Sequence, residues 1–75
     1  MKEQLLKAAL ADFESTALKA RANLEVYLSS PVGIGDHKDI VAEIISLTKE
    51  ITEAEDSIKT LEEIFVSSLH GELND

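Results

Sequence analysis

Apolar side chains recur at alternating steps of four and three over two long stretches of this chain. The first runs Leu6, Leu10, Phe13, Ala17, Ala20, Leu24 and Tyr27; the second runs Ile40, Ile44, Leu47, Ile51, Ala54, Ile58, Leu61 and Phe65. A heptad seam of this kind is the signature of helices packed along their length, because each apolar position returns to the same side of the helix. Between the seams stands Ser30-Pro31-Val32-Gly33-Ile34-Gly35. Pro31 lacks an N–H and disfavours helical backbone at Ser30, so a helix arriving from the N-terminal side stops near Ser29. Gly33 and Gly35 admit the backbone angles of a chain reversal.

These features predict an all-α fold, a single antiparallel two-helix hairpin with coiled-coil-like packing. The expected elements are a helix over 2–29, a bend over 30–36, a helix over 37–69 and a frayed tail over 70–75. Asp36 is the expected N-cap of the second helix, with Asp39 at its third position near the positive end of the dipole. Gly71, after His70, is the expected stop. The pairs Glu3–Lys7 and Glu55–Lys59 have the i,i+4 spacing that favours helix surfaces.

Folding the two seams back at the bend sets a register. Tyr27 meets Ile40, Leu24 meets Ile44, Ala20 meets Leu47 and Ala17 meets Ile51. Further on, Phe13 meets Ala54, Leu10 meets Ile58 and Leu6 meets Leu61. Large residues repeatedly face small ones, which is what close packing of two helices requires. Val32 and Ile34 are expected to fold over the end of the hairpin.

Seventy-five residues make one domain and a small core. There is no cysteine, hence no disulfide and no thiolate metal site. Val41, Ile45, Ile64, Val66 and Leu69 lie beside the second seam, and Leu5, Ala9, Leu18 and Leu28 beside the first. This apolar width exceeds what one partner helix covers. The expectation is a homo-oligomer, a dimer closing into a four-helix bundle, with Val41, Ile45, Ile64 and Leu69 at its interface.

The formal charge is −8. Before the bend, Lys2, Lys7, Lys19 and Arg21 cancel Glu3, Asp12, Glu14 and Glu25, so the deficit belongs to the second half. Without a Lys/Arg stripe, direct binding to nucleic acid is disfavoured. No apolar run approaches the roughly 20 residues of a membrane span, and the N-terminus is amphipathic rather than signal-like. A cytoplasmic location follows as the expectation.

The residues offer little to catalysis. His37 and His70 stand at opposite ends of one helix, about 33 residues and roughly 50 Å apart, so they do not share a metal within one subunit. Glu50, Glu53, Glu55 and Asp56 read as a solvated face. Both seams lack the inward Glu-x-x-His motifs of di-metal bundles, and no Ser or Thr has a His-and-acid arrangement to activate it. No enzyme activity, cofactor or metal is expected. The bend admits a second reading besides a plain turn. Gly33 and Gly35 before a helix start can offer N–H groups to an anion, with His37 and Lys38 assisting and Tyr27 stacking on a base. Asp36 and Asp39 oppose it, and the segment is neither a P-loop nor a dinucleotide fingerprint.

The segment VYLSSPVGIGDHKDIVAEI, with the later ITEAEDSIKTLEEIF, resembles small proteins of unassigned role in large tailed bacteriophages. Their pattern is Tyr-Leu-x-x-Pro-x-Gly-Ile-Gly-Glu-His-x-Asp-Ile within a helical hairpin. The likeness covers about Val26 to Phe65, with Pro31, Gly33, Gly35, His37 and Asp39 in register, Asp36 in place of Glu and Lys38 in place of Pro. It implies a viral accessory protein acting inside a bacterial host and brings no catalytic residue. Two functions follow as expectations. The first is a non-catalytic oligomer that binds a host or viral protein through its acidic or apolar surfaces. The alternative is a sponge for a small anionic nucleotide signal, held at an oligomer interface by Tyr27, Gly33, Gly35, His37 and Lys38.

Overall fold

The structure, a computed structural model, describes residues 2–29 and 39–74, with side chains described as far as Ser68. The described residues form two helices, α1 (Lys2–Ser29) and α2 (Ile40–Asn74), packed against each other along their length. Leu6 shares a hollow with Leu61 near one end, and Tyr27 packs on Leu47 near the other, so the helices run antiparallel. The molecule is a rod of 60 × 17 × 16 Å.

The middle of the rod follows the register read from the seams. The buried residues are Ala17 and Ala20 on α1 and Leu47, Ile51 and Ala54 on α2. Ala20 clusters with Leu47 and Ile51, and Leu24 and Tyr27 pack on that cluster. Alanines bring the α1 backbone close, and the branched side chains of α2 fill the space they leave. Each of Leu47 and Ile51 contributes about 1.5–3 kcal/mol by leaving water. Among the described residues three of the five buried are alanines, and no large side chain is fully enclosed.

The ends of α2 depart from expectation. The helix begins at Ile40 rather than at residue 37. Its N-cap is Asp39, whose Oδ1 accepts from the Ala42 N–H at 3.0 Å and whose carbonyl accepts from the Glu43 N–H at 3.1 Å. Asp36 was the expected cap, with Asp39 at the third helical position; Asp39 caps instead and borders the apolar seam directly, since Ile40 follows it. At the other end α2 continues through Gly71 to Asn74, where a stop and a frayed tail were expected. Glycine costs about 1 kcal/mol within a helix, a preference that does not prevent the backbone bonds from continuing. Pro31, Val32, Gly33, Ile34, Gly35 and Asp36 lie outside the described residues, so the expected bend does too.

Candidate functional site

The expected ligand-binding set is divided by the limits of description. Gly33, Gly35, His37 and Lys38 lie outside the described residues. Tyr27 is described: its half-buried ring packs on the Ala20–Leu47–Ile51 cluster and borders a shallow hollow with Asn23, Val26 and Glu43. Its ring is thus engaged by the seam.

The geometry instead defines two unlike faces, one on each side of the seam. The first is marked by Arg21 of α1, which donates from Nη2 to Glu55 Oε2 of α2. Each of these residues lies four positions after a seam residue, Ala17 or Ile51, so they flank the seam on the same side. Glu55 was expected to pair with Lys59 on its own helix; its carboxylate is instead taken by Arg21 across the seam. Guanidinium offers a planar fork of donors that matches a carboxylate better than an ammonium does. The expected Glu3–Lys7 pair does form, at 3.2 Å.

Helical spacing carries this ion-pair face along the rod. Leu18 and Leu28 lie three and seven residues from Arg21, and Val41 lies fourteen from Glu55. Leu18 is 70%, Val41 65% and Ile45 50% exposed. Between Ile45 and Glu55, the Thr48 and Thr52 hydroxyls donate to the carbonyls of Ile44 (2.7 Å) and Thr48 (3.0 Å). Their hydroxyl protons are therefore satisfied within the helix, and the methyl groups extend the apolar patch. Toward the far end the same face opens into an apolar groove lined by Leu6, Leu10, Leu61, Phe65 and Val66. The groove exists because the seam of α2 continues to Phe65, whereas the matching α1 position is Glu3.

The opposite face is acidic. Asp12, Glu50 and Glu53 surround a hollow beside Phe13 and Ala54. Asp56 joins Glu53 at the next hollow along, which Phe13 also borders. Glu43 lies on the same side. Ile64, seven residues beyond Ser57, belongs to this acidic face and is 45% exposed. The expected interface set is thereby split: Val41 and Ile45 share the ion-pair face, Ile64 is across the rod, and the Leu69 side chain lies outside the described residues. Sequence reasoning missed the division into faces. The signal was available in the positions of Arg21 and Glu55, each directly after a buried alanine, Ala20 or Ala54.

Among the described residues no grouping of three His, Asp or Glu side chains is placed to hold a metal. No described helix is long and apolar enough to cross a membrane. Comparison with protein-family models, with curated proteins and with solved structures finds no match to this chain.

Proposed function

We propose that this chain is a non-catalytic, phage-type accessory protein, a homo-oligomeric helical hairpin that acts by binding a host or viral protein. The observation that carries this reading is the separation of the two faces. Carboxylates gather on one side of the rod around Asp12, Glu50 and Glu53, while large exposed apolar side chains predominate on the other. Two surfaces of different chemistry suit two kinds of contact. The acidic face fits a partner with a basic surface, because clustered carboxylates steer and orient opposite charge. The apolar side fits self-association into a four-helix bundle.

The test compares affinity capture from a bacterial lysate by the wild-type chain and by Glu50→Lys/Glu53→Lys, with helicity followed by circular dichroism. The expected result is a discrete captured protein that is lost with the double variant and released by about 1 M salt, where charge interactions are screened beyond roughly 3 Å. Identical capture by both chains, or none by either, overturns the reading.

A further inference from the structure

The hairpin exposes more surface than a compact chain of its size. Its accessible surface is 5813 Å², whereas a compact chain of 8.2 kDa exposes about 4500 Å². The radius of gyration is 17.2 Å, against about 11 Å for a compact chain of this length. The excess is roughly 1300 Å² per chain, or about 2600 Å² for a pair, which falls within the size class of obligate homodimers.

We propose that a second copy of this chain covers the ion-pair face, seating its own ion-pair face there through Leu18, Val41, Ile45 and the groove at Phe65. This rests on the self-association named above and adds which face is used. Charge selects the face. In a chain of charge −8, two copies meet most readily where both signs are present. By helical spacing the ion-pair face carries Lys7, Arg21 and Lys59 against Glu14, Glu25, Glu55 and Glu62, and the Arg21–Glu55 pair is already neutralised within each copy. On the acidic face Asp12, Glu43, Glu50, Glu53 and Asp56 outnumber Lys2 and Lys19, so two copies meeting there bring the larger excess of like charge together. A two-fold contact uses the same patch on both partners, and this face has apolar ground near both ends of the rod.

The chain lacks cysteine, so a single introduced thiol reports its own surroundings. Leu18→Cys and Leu5→Cys place thiols on the ion-pair and acidic faces, at positions 70% and 64% exposed in one hairpin. Maleimide labelling rates are measured from nanomolar to high micromolar protein, alongside sedimentation equilibrium. The expected result is at least tenfold slower labelling of Leu18→Cys in the concentration range where dimer forms, with Leu5→Cys unchanged. Protection of Leu5→Cys instead, or of neither in a sedimenting dimer, overturns the choice of face while leaving self-association intact. A monomer throughout, with both thiols reactive, overturns both. Val41→Glu with Ile45→Glu serves as a second variant: it is expected to shift dissociation by more than 100-fold while helicity at high concentration is retained, and Ile64→Glu by less than tenfold. Equal shifts from the two would also overturn the assignment.

Discussion

Arg21 and Glu55 form an ion pair across the seam although they do not stand level with each other. In the register set by Ala20 with Leu47, Arg21 is level with about residue 46, some nine residues from Glu55. The offset follows from helix geometry. Side chains lean toward the N-terminus of their own helix. Arg21 leans toward Ala17, and Glu55 toward Ile51. In an antiparallel pair those two levels coincide, because the register set by Ala20 with Leu47 puts Ala17 level with about Ile51, so the charged groups meet over the buried middle of the rod. A parallel pair of helices would send both side chains the same way and would not close this offset.

The pair is open to solvent, with side chains 58% and 48% exposed. Its coupling is therefore expected to be about 0.2–1 kcal/mol. A double-mutant cycle with Arg21→Ala and Glu55→Ala, followed by urea unfolding, checks this, and the coupling is expected to shrink in 1 M salt. Coupling that is zero at low salt would show that the two groups do not meet in solution.

The start of α2 gives a second prediction. Asp39 caps the helix through the Ala42 N–H, so Asp39→Ala is expected to cost about 1 kcal/mol. Asp36→Ala is expected to cost less. Equal losses at both positions, measured by denaturant midpoint, would mean that the cap is shared or lies earlier in the chain.

The seam was legible in the sequence because burial imposes a period, and every buried residue among those described, from Ala17 to Ala54, occupies a seam position. The helix ends were not legible to the same degree. Asp36 and Asp39 carry the same capping chemistry, and only the closeness of Asp39 to Ile40 separates them. Gly71 reads as a stop by local preference alone, and the backbone passes through it. The division into faces depends on a contact between residues 34 apart in sequence, which local rules such as the Glu55–Lys59 spacing do not see. The candidate ligand bend was legible as a motif, yet the only member of that set among the described residues, Tyr27, is held by the seam.

Register itself is testable at Ala54, 3% exposed and beside Phe13. Ala54→Leu is expected to overpack the seam and cost about 1–3 kcal/mol. Adding Phe13→Ala is expected to recover part of that loss, because the two changes exchange volume across one contact. Recovery is judged against the sum of the single-variant losses; a double variant no better than that sum would displace the register.

The groove at the end of the rod leads to the last prediction. The α2 seam continues to Phe65, and the matching position on α1 is Glu3, which is exposed and paired with Lys7. The apolar ring therefore has a charged residue where the heptad calls for a hydrophobe. Glu3→Leu extends the α1 seam by one step over Phe65. Burying the new side chain against Phe65 and Leu61 is expected to contribute about 1.5 kcal/mol, against a loss of roughly 0.3–0.5 kcal/mol from the broken i,i+4 pair. The net gain of about 1 kcal/mol corresponds to a rise in Tm of roughly 4–8 °C for a chain of this size. A control, Glu3→Gln, removes the charge without filling the groove and is expected to lower Tm slightly. If Glu3→Leu also fails to raise Tm, Phe65 does not lie across from residue 3, and the groove is not the unfilled end of the seam.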